Sequence, residues 1–285
     1  MWFFKCLLSS GADINVCDDD GQSPLCIASW IGKCNDVNHL LSSGTNINLC
    51  NKRGQSPLFI TSMIGHCDVV KCLLSSGANI NLCDKQGKPP LLIASKEGEC
   101  DVVKCLLSSG ADINLCDEDE QSPLYISSEK GECDVVECSV SSGAEINLCD
   151  KGGESPLLIA SVIGDWDIVE CLPRSGAEIN LCDKKGKSPL HGSSFIGNCD
   201  VIKCLLSSGA EINLCDEDGQ SPLSIASMFG ECDVECLLSS SANINLCDED
   251  GQSPLYIASQ EGKCDVVKCL LSSGANINLC DEDGQ

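Results

Sequence analysis

The sequence predicts an all-α solenoid, short helices stacked in successive pairs, and three observations lead there. One pattern of 33 residues recurs along the chain. Every copy carries start and stop signals for two short helices. The apolar mass is Leu, Ile, Val, Ala and Cys, with aromatics at only 4% of 285 residues. That composition suits helices with small contacts and is far from that of disorder.

Two copies show the pattern. Asp84–Cys116 reads DKQGKPPLLIASKEGECDVVKCLLSSGADINLC, and Asp248–Cys280 reads DEDGQSPLYIASQEGKCDVVKCLLSSGANINLC. The register divides the chain into a half-unit at 1–17, eight units at 18–50, 51–83, 84–116, 117–149, 150–182, 183–215, 216–247 and 248–280, and the start of another at 281–285. The seventh unit is one residue short, in its segment CDVECLL. The apolar opening MWFFKCLLSSGAD aligns with KCDVVKCLLSSGAN, so it reads as half a repeat and not as a leader peptide. Neither end carries a polar capping unit, which makes a fragment of a longer array the expectation.

Each unit can be followed in order. Ser at position 6 and Pro at position 7 start a helix: the hydroxyl accepts from free backbone N–H groups, and Pro fits the first turn. One unit has Pro89 in place of the Ser. Leu, Ile and Ala at positions 8, 10 and 11 form a short apolar stripe, and Gly at position 15 ends the helix. Asp at position 18 falls in the first turn of a second helix, where the dipole favours it. Positions 20, 23 and 24, as in Val103, Leu106 and Leu107, keep helical spacing. The run S-S-G then stops the chain, and ANINLCDEDG makes an extended turn into the next unit. One unit cannot bury its apolar faces, whereas stacked neighbours can.

The S-P-L, the I-A, the G-x-C-D-V-V-K-C-L-L and the G-A-x-I-N together resemble the ankyrin repeat, whose pattern runs T-P-L-H-x-A-A, G-H-x-x-V-V-x-x-L-L and G-A-x-x-N. The match covers nearly the whole chain. Ser replaces the Thr, and only His191 keeps the His. The resemblance implies paired antiparallel helices with a short β-hairpin finger in each unit. It also implies that the molecule binds proteins and does no chemistry.

The chain holds 25 cysteines, mostly at positions 17, 22 and 33. Positions 17 and 22 lie about 140° apart around one helix. Equivalent positions in neighbouring units lie about 10 Å apart. A disulfide needs Cα atoms within about 7 Å, and zinc needs four ligands around one point. Cysteine at 17 and 22 therefore reads as a small buried hydrophobe, against the alternative of metal or redox chemistry. Position 33, as in Cys50 and Cys83, is expected to be more exposed and the more reactive class. So many thiols fit a reducing compartment, the cytoplasm, with the nucleus as a second possibility.

Other chemistry is excluded piece by piece. D-E-D-G at Asp248–Gly251 lacks the calcium-loop ligands, because the first and last ligand positions hold Leu246 and Ile257. The three histidines, His39, His66 and His191, fall at different repeat positions. No catalytic residue, cofactor site or metal site is expected, and no enzyme. A net charge of −25 disfavours nucleic acid and anionic membranes. No apolar run is long enough to span a bilayer.

In a repetitive scaffold the information lies where units disagree. The resemblance puts positions 13 and 14 on the concave groove and positions 2, 3 and 5 on the finger. At 13 and 14 the chain offers apolar pairs: Trp30 and Ile31, Met63 and Ile64, Val162 and Ile163, Phe195 and Ile196, Met228 and Phe229. They read as anchors for a partner, with core packing between helices as the alternative. Basic fingers carry Lys52 and Arg53, and Lys184, Lys185 and Lys187, between acidic ones. They read as a match to charge blocks on a partner, or as solvated surface. The expected function is a monomeric scaffold or adaptor for protein partners. A targeting arm of a larger enzyme, channel or signalling protein is the alternative.

Overall fold

In the computed structural model the described residues are 13–230 and 232–279. The half-unit at 1–17, all but its last residues, and the stub at 281–285 lie outside them. Sixteen helices appear among the described residues and no strand. The chain divides into two compact units, Met1–Glu145 and Ile146–Gln285.

The first unit holds α1 (Pro24–Ile31), α2 (Cys34–Ser42), α3 (Pro57–Ile64), α4 (Cys67–Ser75), α5 (Pro90–Lys96), α6 (Cys100–Ser108), α7 (Pro123–Lys130) and α8 (Cys133–Ser141). The second holds α9 (Pro156–Ile163), α10 (Trp166–Arg174), α11 (Pro189–Ile196), α12 (Cys199–Ser207), α13 (Pro222–Phe229), α14 (Cys232–Ser239), α15 (Pro254–Gln260) and α16 (Cys264–Ser272). Within each unit, odd-numbered helices pack on odd ones and even on even, and each odd helix packs on the even helix that follows it.

The start signals act as expected. Ser56, Ser122 and Ser155 each accept the N–H three residues on at 3.0–3.1 Å. Pro89 occupies the same place without a side-chain cap. Gly32, Gly65, Gly131, Gly164 and Gly197 close their helices in the left-handed region. Two other residues stand where φ is positive and the repeat has Gly: Glu120 at 60° and Ser241 at 72°. Each costs about 1 kcal/mol relative to glycine. Pro173 sits inside α10, which nevertheless runs on to Arg174.

Cores form by stacking. In the first unit Leu25, Val37, Leu40, Leu58, Val70, Leu73, Leu91, Val103 and Leu106 lie in one buried cluster. In the second unit Leu157, Val169, Leu172, Leu190, Ile202, Leu205, Leu223 and Leu237 are equally buried. Leu107, expected on the apolar stripe, is half-buried.

Polar contacts fix the spacing of neighbours. In each finger an Asp or Asn carboxyl or amide oxygen accepts two N–H groups, as Asp84 does from Gln86 and Lys88 at 2.9 and 3.0 Å. A single backbone bond joins one finger to the next, as from Lys85 N–H to the Arg53 carbonyl at 3.1 Å. The fingers are thus linked turns without a β-ladder, a correction to the expected β-hairpins. Behind them, Asn48, Asn81 and Asn114 each accept a backbone N–H of the following unit at 2.9–3.1 Å. Asn147, Asn180, Asn213 and Asn245 do the same at 2.7–2.9 Å.

The missing residue near α14 has a clear structural effect. Counting back from Leu237, Val234 takes the place that Val70 holds before Leu73, and Asp233 takes the place of Val69. Asp233 is accordingly 1% exposed. Its Oδ2 has no hydrogen-bond partner, and burial raises its pKa. Gly230 is extended there, φ −129°, where the other closing glycines are left-handed. Asp233→Val is expected to stabilise the second unit by about 2 kcal/mol at neutral pH, the usual penalty of a buried unpaired group. Because the folded-state pKa is raised, acid relieves the penalty in the parent, so the gain shrinks as pH falls. Urea unfolding at two pH values measures both effects.

Candidate interaction site

The apolar pairs do not all end up alike. Trp30, Ile31, Ile163, Phe195, Ile196 and Phe229 are exposed, which excludes the core alternative for them. Met63, Ile64, Val162 and Met228 are half-buried. Trp30 and Ile31 end α1 and Met63 and Ile64 end the neighbouring α3, both in the first unit. Lys52, Arg53, Lys184 and Lys185 are exposed, and Lys187 is half-buried. Lys184 turns back onto its own scaffold, its Nζ donating to the Lys151 carbonyl at 2.6 Å.

In the second unit, α9, α11 and α13 bring several of these residues to one pocket of about 360 Å³. Val162, Phe195, Met228 and Phe229 line it with Leu158 and Ile225, and Glu154, Asp183, Lys187 and Gln220 stand on its finger side. The Phe195 and Phe229 rings meet edge to face with centroids 4.7 Å apart. That is a favourable geometry for aromatic quadrupoles. Each ring is still half exposed, at 50% and 48%.

Two residues that sequence reasoning passed over make the pocket. Gly192 stands at position 10, where Ile60, Ile93, Ile126 and Ile225 fill the same place in their units. A Cβ on Gly192 would lie 2.7 Å from Val162 Cγ2. The signal was present: PLHGSS breaks the PLLIAS pattern. His191 forms the base. Its Nδ1 accepts from the Ser188 N–H at 3.1 Å and from the Ser188 hydroxyl at 2.8 Å. With Nδ1 an acceptor, Nε2 carries the proton and donates to the Gln220 carbonyl at 3.0 Å. The ring thus ties the α11 start to the next finger in its neutral form. Burial lowers its pKa, partly offset by the Gln220 bond.

The cysteines differ from expectation. Among described residues Cys26 and Cys236 are buried, Cys17 and Cys264 exposed, and the rest half-buried. Positions 17 and 22 therefore border the core more than they fill it. Cys50, Cys83, Cys116, Cys149 and Cys182 at position 33 are no more exposed. Burial is the main cause holding their pKa values up. Their thiols also donate to a carbonyl two residues back, as Cys83 does to Asn81 at 3.5 Å. The greater exposure expected at these positions is absent.

No described helix is long and apolar enough to cross a membrane. The family model for "Ankyrin repeats (3 copies)" matches residues 25–117, 124–214 and 192–281. A similar solved structure, the human ASB11 ankyrin repeat domain, aligns at 27% identity with a TM-score of 0.69, covering 76% of this chain and 97% of that one. No curated protein sequence matches.

The sign of the His191 effect follows from its lowered pKa. Neutral His191 contributes stability above the unfolded-state value of about 6.5. That contribution is lost as pH falls from there towards the folded-state value, because the unfolded chain then binds the extra proton. The stability of the second unit is expected to decline between pH 7 and pH 5. His191→Leu, the residue type of Leu92 and Leu158, should flatten that slope in denaturant titrations across the same range.

Proposed function

The chain belongs to the ankyrin repeat family, a family of protein–protein interaction modules, and on that premise we propose that it is a non-enzymatic scaffold whose partner docks on the α9–α11–α13 pocket. The observation that carries this reading is the half-exposed Phe195–Phe229 pair beside the space that Gly192 leaves open. Apolar anchors inside a polar rim have the anatomy of a protein-binding surface. An apolar side chain of the partner enters between the rings and Val162. Glu154, Asp183 and Lys187 at the mouth contact its flanking polar groups. Ile163 and Ile196 extend the surface, and Lys184 and Lys185 offer charge beyond it. Trp30, Ile31, Met63 and Ile64, with Lys52 and Arg53, provide a second contact region of the same kind in the first unit. The chain works as a monomer in a reducing compartment, the setting that so large a number of cysteines fits.

Affinity capture with quantitative mass spectrometry identifies the partner, and titration then measures the variants. Phe195→Ser and Phe229→Ser should each weaken binding by more than about 1 kcal/mol, the threshold for an anchor. Gly192→Ala should also weaken it by narrowing the pocket. Circular dichroism and the unfolding midpoint should hardly change for the two Phe variants, since both rings are half in solvent. A double Phe variant that folds and binds its partner undiminished would sink the reading.

A further inference from the structure

Two adjacent fingers of the first compact unit are basic in a molecule of net charge −25. The finger at 51–55, NKRGQ, holds Lys52 and Arg53 and no acid. The next, at 84–88, DKQGK, holds Lys85 and Lys88 against Asp84 alone. Lys52, Arg53 and Lys85 are exposed and Lys88 is half-buried. Among the described residues, none of these four cations has a carboxylate within ion-pair distance.

One substitution sharpens the charge. Every other full unit opens its finger with Asp, whose oxygen accepts N–H groups further round the turn, as at Asp84. The second unit opens with Asn51. Its Oδ1 takes the same two bonds, from the Arg53 and Gln55 N–H groups at 2.9 and 3.0 Å. Its Nδ2 donates to Gln55 Oε1 at 2.9 Å. The amide does the carboxylate's structural work and leaves out its negative charge.

The two fingers form one surface. The Lys85 N–H donates to the Arg53 carbonyl at 3.1 Å, and the Lys85 stem lies on Gly54, where a Cβ would stand 3.1 Å from Lys85 Cγ. Acidic fingers bound this surface on both sides. The Lys52 N–H donates to the Asp20 carbonyl of DDDGQ at 3.0 Å, and the Glu118 N–H of DEDEQ to the Gln86 carbonyl at 3.2 Å. The basic fingers of the second unit are less free, since Lys184 Nζ is held by the Lys151 carbonyl and Lys187 stands at the pocket.

We propose that the fingers at 51–55 and 84–88 bind a short acidic peptide segment in extended conformation, with two carboxylates three residues apart. The proposal rests on the reading that the first unit meets a protein partner, and it names the chemistry of the segment met there. Neighbouring layers repeat at about 10 Å. A polyproline II segment has three residues per turn and rises about 3.1 Å per residue, so residues i and i+3 share one face about 9 Å apart. One carboxylate then meets Lys52 and Arg53, and the other meets Lys85 and Lys88. Nucleic acid carries its charge without a break, and so does an anionic membrane. Either would run onto Asp18, Asp19 and Asp20 on one side and Glu118, Asp119 and Glu120 on the other. The acidic flanks thus suit a segment of two charges and reject a longer run.

The test is fluorescence anisotropy of a labelled Gly-Glu-Pro-Pro-Glu-Gly peptide titrated with the full chain at low salt, each variant being checked for intact helicity. The parent should bind this peptide and not its Gln-Pro-Pro-Gln counterpart, and added salt should weaken binding. Lys85→Glu should weaken it by at least about fivefold, the upper reach of an exposed ion pair, and Asn51→Asp by about threefold through the restored charge alone. Where Asn51→Asp loses helicity, Arg53→Glu serves in its place with the expectation of Lys85→Glu. Lys184→Glu in the second unit should change nothing. Phe195→Ser/Phe229→Ser should also bind the peptide unchanged, so this proposal and the pocket reading fail separately. Absence of peptide binding at low salt, or equal losses from Lys85→Glu and Lys184→Glu, would overturn the proposal. So would tighter binding of a five-glutamate peptide, of oligo(dT) or of phosphatidylserine vesicles, each in favour of unselective attraction to polyanions.

Discussion

A helix of seven to nine residues has no stability of its own in water. Every helix among the described residues is of that length, so each depends on its neighbours for its existence. The dependence is met twice per layer. Leu and Val side chains such as Val70, Leu73, Val103 and Leu106 bury against one another from layer to layer. Alongside them an asparagine oxygen, such as that of Asn81 on the Asp112 N–H, fixes how far one layer stands from the next. The apolar contact supplies most of the energy and is non-directional. The asparagine bond is worth only about 1 kcal/mol but is directional, so it sets register. A repeat that must stack in this way can vary only where side chains leave the stack.

The readable part of the fold was the part governed by local chemistry. Serine caps, the proline after them and left-handed glycines act within a few residues, and Ser122, Pro123 and Gly131 behave as their types require. The exposed state of Phe195 and Phe229 also followed from position in the repeat. Contacts between layers were less legible. Period alone places Cys67 and Cys72 on different sides of one helix, and it does so correctly. It says nothing of Cys67 leaning onto the Asp101 carbonyl of the next layer. Position 33 looked exposed because it lies in a turn, yet Cys83 is half-buried with its thiol on the Asn81 carbonyl. The expected β-hairpins failed because one backbone bond between successive fingers is too little to make a ladder.

Departures from the repeat fall into two kinds, and packing separates them. The residue missing from the CDVECLL segment of α14 is a defect: it moves Asp233 into a valine's place and leaves a buried oxygen unpaired. Glu120 and Ser241 are of the same kind, side chains in backbone regions that suit glycine. Gly192 also gives up an isoleucine's contacts in the middle of a helix, at a cost of about 1 kcal/mol in helix propensity. Here, however, the vacated volume opens to the surface beside two aromatic rings instead of closing into a void. His191 next to it is held by three hydrogen bonds, from the Ser188 N–H and hydroxyl and to the Gln220 carbonyl. The loss at Gly192 thus falls beside a residue tied both within its own layer and to the next finger.

Charge then limits what can use that opening. With net charge −25, the molecule repels anions at long range, and salt attenuates that repulsion beyond about 10 Å. A partner reaching the pocket under physiological salt needs little net charge of its own, since the pocket walls are apolar and His191 is neutral. It does need a side chain that profits from leaving water, because the rim offers Glu154 and Asp183 against the single cation Lys187. An acidic segment would meet repulsion at that rim, and a small polar one would forfeit the contact with Phe195 and Phe229. On the proposed reading, selectivity therefore arises from two filters in series: the acidic field admits neutral or basic segments, and the aromatic pair retains those among them that carry a large apolar side chain.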